Sequence, residues 1–480
     1  MDREYDLVVV GAGTGGLVPA AGGASLGARV ALVEGGEMGG DCLNRGCVPT
    51  KVLIKSAKVA SLMRRAPEFG LGSVPVEVDF PAVMRRMRRV IERAGEHDSA
   101  ERFRSLGVDV LQGEQACFTG PRELSVGGRR LRGRSVIIAT GSHPAALPVP
   151  GLRETGYLTN ETVLELEEMP RSMVVVGSGP IGSEFAQMFA RFGCRVELVS
   201  LSPNPLPVEE PEVGEALKSY LEADGVRFHG GFGVERVSRE NGEKVVVVKH
   251  RYSGEVRELR GEEILVAAGR APSVEGLGLG DAGVEVGEKG IRVDEHLATS
   301  AEGVYAAGDV TGILQFTHAA EYQGRISLTN ALFPVKQKAD YRSIPWTTFT
   351  DPEVARVGLT ERQAREQNEP VEAFTFPFSD LDRALCDGET KGFVKLVTGR
   401  RGRLLGGHII GPDAGNYIGE VALALKKGMK IGDLSQTVHV YPTLSESVKR
   451  AADAYYREKL FTSRNKKLLK TFFDLRRRLF

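Results

Sequence analysis

Two glycine-rich turns of identical spacing constrain what this 480-residue chain can fold into. The first turn places Gly11, Gly13 and Gly16 directly after the apolar run at 7–10. An alanine-rich stretch and a second apolar run follow, and that run ends at Glu34. The order of strand, G-x-G-x-x-G, helix, strand and acid predicts a βαβ unit that binds a dinucleotide, with the pyrophosphate at the helix N-terminus and the acid at a ribose hydroxyl.

A second copy of this pattern begins with the apolar run at 173–176 and contains Gly177, Gly179 and Gly182. Two copies predict two nucleotide cofactors. The second strand of this copy ends at Ser200 rather than at an acid, so the carboxylate that would repel a ribose 2′-phosphate is missing. The sequence therefore permits NADPH as well as NADH and slightly favours NADPH, although the loop after Ser200 offers no arginine for the phosphate.

Two cysteines follow the first βαβ unit in the run GGDCLNRGCVPTK at 39–51. Cys42 and Cys47 can close a small disulfide only if the backbone turns sharply, which Gly46 would allow and a helix starting near Pro49 would anchor. Zinc would need two further ligands, whereas the other three cysteines are isolated. The spacing predicts a redox-active dithiol beside a cofactor and no structural metal.

Length and composition restrict the remaining choices. At about 150 residues per domain, the chain is long enough for roughly three domains. Basic and acidic residues each number 63, so no overall charge indicates nucleic acid as a partner. The charged N-terminus lacks the pattern of a signal peptide, and no run reaches the roughly 18 apolar residues of a membrane span. A cytoplasmic protein is expected.

Three further segments are predicted as strands that end in glycine turns. The runs at 135–141 and 263–272 follow the two βαβ units, and each is interpreted as the exit from a dinucleotide domain. The run at 303–312 contains Asp309, which could bind a sugar or polyol hydroxyl. Taken alone, Asp309 is better explained as a turn residue or a helix cap.

In their order along the chain, these motifs resemble the class I flavin-dependent pyridine nucleotide-disulfide oxidoreductases, the family of dihydrolipoamide dehydrogenase, glutathione reductase and mercuric reductase. The resemblance extends over about 4–456 and rests on GAGTGG, CLNRGCVPTK, GSGPIGSEF, AAGRAP, AAGDV and YPTLSE. It implies an α/β fold with two Rossmann-like dinucleotide-binding domains, for FAD and NAD(P), and an α+β C-terminal dimerisation domain. The implied bounds are 1–145 with 273–343 for FAD, 146–272 for NAD(P) and 344–456 for dimerisation. A homodimer is expected on the same ground.

The resemblance also implies roles for individual residues. Hydride would pass from nicotinamide to the flavin, and the reduced flavin would open a Cys42–Cys47 disulfide. Cys47 would be the flavin-side thiol, whereas Cys42 would be the low-pKa interchange thiol that attacks the substrate. Lys51 would lie near flavin N5 with Glu184 as its partner, and Asp309 would bind the ribityl chain. The residues expected to hold the two cofactors are Gly11, Gly13, Gly16, Glu34, Gly40, Lys51, Thr140, Gly141, Gly177, Gly179, Gly182, Ser200, Gly269, Arg270, Gly308, Asp309 and His318.

One position departs from the family's pattern. The family carries a His-Pro-Thr motif whose histidine, with a glutamate five residues later, serves as acid/base at the partner subunit's interchange cysteine. Tyr441 stands at the histidine position here, and Glu446 keeps its place. A phenol with a pKa of about 10 is a poor general base at neutral pH. Three alternatives stay open: His439 replaces the missing histidine, Tyr441 contacts a substrate that needs no proton relay, or turnover uses the flavin directly.

A thiophilic metal ion captured by thiolates needs no base to protonate a leaving thiol, so Tyr441 fits mercuric-reductase chemistry better than disulfide reduction. Cys42 and Cys47 would then bind Hg(II) as a substrate. The sequence thus predicts an FAD-dependent NAD(P)H oxidoreductase of the mercuric-reductase-like branch, with a disulfide or a thiophilic metal ion as acceptor. The alternatives are a dihydrolipoamide dehydrogenase-like disulfide reductase, and a soluble transhydrogenase or NAD(P)H oxidase that does not use the dithiol.

Residues 457–480 are rich in lysine and arginine and place Leu468, Phe472, Leu475 and Leu479 at helical spacing. This pattern predicts a basic amphipathic helix. It could lie on an anionic membrane surface or bind a partner, but packing on the protein's own dimer with a solvated charged side is favoured. The four arginines between 85 and 89 are interpreted as the solvated side of another helix.

Overall fold

The computed structural model describes residues 3–367, 370–460 and 462–479. The chain forms two compact units. The first comprises the residues up to Leu201 together with Gly225–Asp340, and the second comprises Ser202–Asp224 together with the residues from Tyr341 onwards. Among the described residues, no helix is both long and apolar enough to cross a membrane.

The strands are, in chain order, β1 (Arg3–Val10), β2 (Val30–Glu34), β3 (Asp109–Gln112), β4 (Ala116–Gly120), β5 (Glu123–Val126), β6 (Arg129–Ile138), β7 (Ser142–Pro144), β8 (Ser172–Val176), β9 (Arg195–Ser200), β10 (Arg227–Gly230), β11 (Phe232–Glu240), β12 (Glu243–His250), β13 (Val256–Gly261), β14 (Glu263–Val266), β15 (Arg270–Pro272), β16 (Val286–Gly287), β17 (Gly290–Ile291), β18 (Val304–Ala306), β19 (Trp346–Thr348), β20 (Glu353–Gly358), β21 (Glu372–Pro377), β22 (Phe393–Thr398) and β23 (Leu404–Gly411). The α-helices are α1 (Thr14–Ser25), α2 (Gly40–Asn44), α3 (Cys47–Arg64), α4 (Phe80–Gly95), α5 (Ala100–Ser105), α6 (Leu152–Thr155), α7 (Pro180–Phe192), α8 (Pro211–Ala223), α9 (Thr317–Leu332), α10 (Glu361–Glu366), α11 (Asp382–Asp387), α12 (Ala414–Lys426), α13 (Ile431–Gln436), α14 (Glu446–Leu460) and α15 (Ser463–Leu479).

The first unit contains a seven-stranded sheet with the order β3-β2-β1-β6-β5-β4, in which β18 also pairs with β6. β1 lies parallel to both β2 and β6. Leu7 and Val9 face one apolar core of the unit, whereas Val8 and Val10 face another. A strand that is buried on both sides suits the middle of a parallel sheet, which explains why an unbroken apolar run lies there.

A four-stranded parallel sheet with the order β10-β9-β8-β14 belongs to the same unit. The antiparallel sheet β11-β12-β13 shares a core with it, where Val174 and Val176 meet Val246 and Val248. Both βαβ units predicted from the glycine turns are therefore present, as β1-α1-β2 and β8-α7-β9.

The second unit is built on a five-stranded antiparallel sheet with the order β19-β20-β23-β22-β21. α12 packs against β20 and β23, and α14 packs against β21 and β22. This arrangement confirms the predicted α+β C-terminal domain, and with the two βαβ units it confirms the predicted fold class.

The segment Ser202–Asp224 joins the five-stranded sheet through buried charges. Lys395 Nζ lies 3.4 Å from a carboxylate oxygen of Glu210 and 3.0 Å from one of Glu361. Lys395 and Glu210 are both buried, and a buried charge is tolerated only when it is paired. The domain bounds derived from the sequence stay a prediction.

Candidate active site

The first glycine turn leaves no room for a side chain at Gly11, Gly16 or Gly40. Gly11 has a φ of 104°, and a Cβ there would lie 2.3 Å from the carbonyl oxygen of Ala139. A Cβ on Gly16 would lie 1.8 Å from the Gly11 carbonyl oxygen, and one on Gly40 would lie 2.7 Å from Gly13 Cα. The absence of side chains at these glycines keeps the backbone at the N-terminus of α1 accessible, which suits the close approach of a pyrophosphate, and these residues fit a dinucleotide such as FAD.

The second turn repeats this geometry. Gly177 has a φ of 105°, and a Cβ there would lie 2.5 Å from the carbonyl oxygen of Ala267. A Cβ on Gly182 would lie 1.8 Å from the Gly177 carbonyl oxygen, whereas Gly179 faces open space. Ser200, at the end of β9, is buried, and its hydroxyl oxygen accepts a hydrogen bond from Ser178 at 2.7 Å. This site fits a second dinucleotide and has no carboxylate at the strand end.

Glu34 holds its carboxylate at the edge of the first turn. One carboxylate oxygen accepts a hydrogen bond from the backbone N–H of Ala12 at 2.6 Å, and the other accepts one from Gly36 at 2.7 Å. The acid thus lies beside the glycine turn, as its position at the end of β2 predicts.

Asp309 belongs to a network of charged and polar side chains. Ser142 donates its hydroxyl to Asp309 at 2.7 Å, and burial raises the pKa of Asp309 above its ordinary value. The Arg270 guanidinium donates to the Ser142 hydroxyl at 2.7 Å and lies 3.3 Å from Asp41 and 3.9 Å from Asp309. Arg270, expected at a cofactor, therefore lies between two carboxylates, and one of them directly precedes Cys42.

The other residues expected at the cofactors occupy loops and helix starts of the first unit. Thr140 donates its hydroxyl to a backbone carbonyl at 2.7 Å. Gly141, Gly269 and Gly308 have φ values of 73°, 146° and 85°, which other residues rarely adopt. The His318 ring stacks on a phenyl ring with 5.6 Å between the centroids. Their roles at cofactors stay predictions.

The two cysteines lie at the ends of a short turn. Cys42 lies in α2, and α3 begins at Cys47 itself rather than near Pro49. Gly46 does not use a left-handed conformation, since its φ is −121°. The space at Gly46 is tight, because a Cβ would lie 3.0 Å from the Asp41 carbonyl oxygen. The turn itself is made by α2 and by Arg45, which directly follows it.

The two thiols differ in acidity. The pKa of Cys47 is lowered to about 6, chiefly because the Cys42 thiol donates a hydrogen bond to it, with further help from the Thr317 hydroxyl and the Lys51 charge. The pKa of Cys42 is raised, because it holds the shared proton and is partly buried. The resemblance assigned the low pKa to Cys42, whereas these contacts lower the pKa of Cys47; the roles of the two thiols in turnover stay a prediction. The Cys42 thiol and Lys51 are close to Cys47 in the sequence, whereas Thr317 comes from a distant part of the chain.

Lys51 and Glu184 form an ion pair across the first unit. Lys51 Nζ lies 2.9 Å from a Glu184 carboxylate oxygen, and the Glu184 side chain is almost fully buried. Lys51 lies one turn after Cys47 on α3, whereas Glu184 lies on α7 of the second βαβ unit. The pair therefore joins a lysine that follows the first βαβ unit to a carboxylate of the second βαβ unit, as the resemblance implies.

Thr317 is a residue that sequence analysis missed. Its hydroxyl oxygen lies 3.3 Å from Cys47 Sγ, although the two residues are 270 positions apart. A threonine in the first turn of a helix is ordinarily explained as a cap, so the sequence offers no signal for this contact.

Tyr441 donates its hydroxyl to Asp382 at 2.8 Å, and 63% of its surface is exposed. This hydrogen bond and the charge of Asp382 raise the pKa of the phenol. Glu446 accepts a hydrogen bond from Arg450 Nε at 2.9 Å, and a second guanidinium nitrogen lies 2.8 Å from the same carboxylate oxygen. The acid expected to polarise a catalytic base is thus paired with an arginine one turn along α14.

His439 has acceptors at both ring nitrogens. Nε2 lies 3.0 Å from a carboxylate oxygen of Glu420, and Nδ1 lies 3.1 Å from the carbonyl oxygen of Thr437. Because each nitrogen already faces an oxygen atom of the protein, a substrate could reach either nitrogen only by displacing that oxygen.

Comparison with known proteins places these features in a family. The model of the pyridine nucleotide-disulphide oxidoreductase family matches residues 5–324, and that of its dimerisation domain matches 344–452. The chain is 36% identical to a mercuric reductase from Staphylococcus aureus, over 94% of this chain and 82% of that protein. It is 37% identical to a dihydrolipoyl dehydrogenase from Thermus scotoductus, over 95% of this chain and 98% of that protein.

Solved structures agree with this assignment. The Cu(II) complex of the HOCl-induced flavoprotein disulfide reductase RclA from Escherichia coli superposes with a TM-score of 0.83 at 30% identity and covers 94% of this chain and 99% of that chain. LpdA from Mycobacterium tuberculosis superposes with a TM-score of 0.84 at 28% identity, with the same coverage of both chains.

Two dinucleotide-binding turns, a dithiol and an antiparallel C-terminal domain define a dithiol oxidoreductase with two nucleotide cofactors. The chain belongs to the pyridine nucleotide-disulphide oxidoreductase family. Members of this family are FAD-dependent and use NAD(P)H, so the cofactors expected from the sequence are confirmed. The match to the dimerisation domain supports the expected homodimer.

Proposed function

We propose that this flavoenzyme passes electron pairs from NAD(P)H through the Cys42–Cys47 dithiol to a thiophilic metal ion. The observation that carries the proposal is the hydrogen bond from Tyr441 to Asp382 at the position of the family's acid/base histidine. The similarity to mercuric reductases supports a metal ion as acceptor, and so does the fold shared with a reductase solved as a Cu(II) complex.

The chain's own residues would hold both cofactors. The first glycine turn, with Glu34 and Asp309, would bind FAD, and the second glycine turn would bind NAD(P)H. Bound FAD would supply the two-electron chemistry that links a nicotinamide hydride to a disulfide. Lys51 adds a positive charge that lowers the pKa of Cys47, while Glu184 holds that lysine in place.

The acidity of the two thiols suits the capture of a soft cation. With a pKa of about 6, Cys47 is mostly thiolate at neutral pH, whereas Cys42 keeps its proton until a ligand replaces it. Soft metal ions prefer thiolate ligands. The overall reaction converts NAD(P)H and Hg(II) into NAD(P)⁺, elemental mercury and one proton. A metal acceptor therefore requires no proton donor.

Disulfide reduction makes the opposite demand, because each leaving thiolate has to be protonated. Tyr441 is poorly suited to that task, since Asp382 raises the pKa of its phenol further above neutrality. His439 has both ring nitrogens engaged, and Glu446 is paired with Arg450. These contacts favour the metal acceptor over lipoamide or glutathione disulfide.

We also infer that NADPH is accepted along with NADH. The buried Ser178–Ser200 hydroxyl pair lies where an acid would otherwise repel a ribose 2′-phosphate. A cytoplasmic location stays part of this proposal, because a free dithiol suits a reducing compartment.

The test is an acceptor screen with both nucleotides on the purified FAD-loaded protein. Hg(II), lipoamide, glutathione disulfide and a quinone would be compared for the wild type, Cys42→Ala and Tyr441→His. We expect Hg(II)-dependent NAD(P)H oxidation in the wild type, its loss in Cys42→Ala, and a gain of lipoamide turnover in Tyr441→His.

Two control variants sharpen this screen. Cys117→Ala removes another exposed cysteine and should leave Hg(II) turnover unchanged. Tyr441→Phe removes the phenol without adding an imidazole and should not gain lipoamide turnover. Efficient lipoamide turnover by the wild type would instead indicate a dihydrolipoamide dehydrogenase-like enzyme. Full activity of Cys42→Ala would indicate an oxidase or transhydrogenase that bypasses the dithiol.

A further inference from the structure

Helix α15 exposes a continuous apolar stripe, which we define as Leu468, Phe472 and Leu475. Their exposed fractions are 61%, 57% and 54%. The spacing of four and three residues places them on one side of the helix, one above the other. Leu469 is also exposed and borders the stripe, whereas Phe473, likewise exposed, lies farther around the helix, about 140° from Leu468. Large apolar side chains rarely stay in water as a contiguous group unless something covers them.

The rest of α15 is strongly basic. Seven lysines or arginines and a single acid, Asp474, occur between 463 and 479. At about 100° per residue, Lys466, Lys470 and Arg477 lie opposite the stripe, and Arg476 borders it. Asp474 neutralises only part of this charge, through an ion pair of 3.4 Å with Arg477. The helix therefore combines an apolar side with a large net positive charge.

Helix α4 shows the alternative arrangement within the same protein. It also carries exposed arginines, at 85, 86, 88 and 89, but its apolar residues Phe80, Met84 and Met87 are buried. The Phe80 ring, for example, lies 6.3 Å from the ring of Phe189 on α7. A basic amphipathic helix of this protein thus covers its apolar side where the fold provides a partner surface.

The charge of α15 distinguishes between the surfaces that could cover it. A second copy of this chain has equal numbers of basic and acidic residues and offers no net negative charge. Two α15 helices packed on each other would bring like charges together. An anionic bilayer can accommodate both the apolar stripe and the basic residues of α15, because Leu and Phe enter the acyl region while Lys and Arg reach the phosphates.

We propose that α15 docks this protein on an anionic phospholipid bilayer, lying in the plane of the surface with the stripe inserted. This inference is independent of the electron acceptor. It differs from the packing on the protein's own dimer that the sequence alone favours, because the stripe is exposed on the chain and a second copy, with no net charge, would not complement the basic residues of α15.

Vesicle flotation tests the proposal with the full-length, FAD-loaded protein. Vesicles of phosphatidylcholine alone would be compared with vesicles that also contain phosphatidylglycerol. We expect binding only to the anionic vesicles, weakening as salt is added. Each basic side chain near the surface contributes about fivefold to binding, so Lys467→Ser with Arg476→Ser and Arg478→Ser, which flank the stripe, should weaken it roughly a hundredfold.

Two further variants separate the stripe from general surface charge. Leu468→Ser with Phe472→Ser and Leu475→Ser should abolish binding to anionic vesicles. The matched control, with serine at Arg85, Arg88 and Arg89, removes three arginines from α4 and should bind as the wild type does. NAD(P)H-dependent bleaching of the flavin, unchanged in all variants, would show that each is folded.

Three results would overturn the proposal. The first is no flotation of the wild type, and the second is equal flotation with neutral vesicles. The third is an equal loss of binding in the α4 control. If the stripe variant lowers the oligomeric state while the wild type ignores vesicles, a second copy of the chain covers α15 instead.

Discussion

Replacing Thr317 with valine tests how the dithiol is activated. The substitution keeps the branched shape of the side chain and removes one hydroxyl, which lies 3.3 Å from Cys47 Sγ. A hydroxyl that donates to sulfur stabilises the thiolate and not the thiol. Its loss should therefore raise the pKa of Cys47.

The size of the effect follows from the contact and its exposure. A hydrogen bond to a charged group contributes about 1.5–3 kcal/mol. Cys47 is exposed, so water replaces part of the lost interaction and the lower end applies. About 1.4 kcal/mol corresponds to about one pKa unit. The Cys47 midpoint should rise from about 6 to about 7.

The assay is a pH titration of thiolate absorbance in the two-electron-reduced protein. In the wild type the thiolate signal should be present at neutral pH and be lost as the pH falls through about 6. Thr317→Ser keeps the hydroxyl and should keep the wild-type midpoint. An unchanged midpoint in Thr317→Val, or an equal rise in both variants, would refute the role of this hydroxyl as a donor to the thiolate.

Three other predictions concern the ion pair, the first nucleotide site and the buried charges. In the same titration, Lys51→Met should raise the Cys47 midpoint and Glu184→Gln should lower it, because the two charges act on the thiolate with opposite signs; shifts in the same direction would contradict this. Gly40→Ala should yield protein that has lost most of its flavin absorbance, because the new Cβ would lie 2.7 Å from the backbone of the glycine turn. Gly70→Ala has a comparable φ of 76° but open space around it, so it should remain yellow and show that backbone strain is not the cause. Lys395→Met should lower the free energy of unfolding by about 3–5 kcal/mol in urea titrations, because it removes the cation that faces the buried Glu210 carboxylate; a change within measurement error would show that the cluster is not stabilising.

Much of the nucleotide-binding framework could be predicted from the sequence because its requirements are local. Gly11 and Gly177 must be glycine since both adopt positive φ values and press against a carbonyl oxygen. Gly16 and Gly182 must be glycine since a Cβ on either would lie 1.8 Å from the carbonyl oxygen of the glycine five residues before it. A few consecutive residues contain all of this information, and their spacing reveals it.

The chemistry of the dithiol could not be predicted in the same way. The spacing of Cys42 and Cys47 shows that a pair exists but not which thiol carries the negative charge. That choice depends on Thr317, which is distant in the sequence, and on Lys51, whose position depends on Glu184 of another βαβ unit. The partners of Tyr441 and His439 are likewise distant in the sequence, so the spacing of the late motif could not reveal them.

By itself the sequence determined where glycine turns, a thiol pair and amphipathic helices occur, because backbone strain and periodicity act over a few residues. Only the tertiary structure decided which thiol is acidic and which apolar helix side is covered. α4 and α15 have similar basic amphipathic patterns, yet Phe80 is buried and Phe472 is exposed. Whether an apolar side chain is buried depends on which distant segments pack against it. The acidity of a thiol likewise depends on the hydrogen-bond donors and charges that distant segments place beside its sulfur atom.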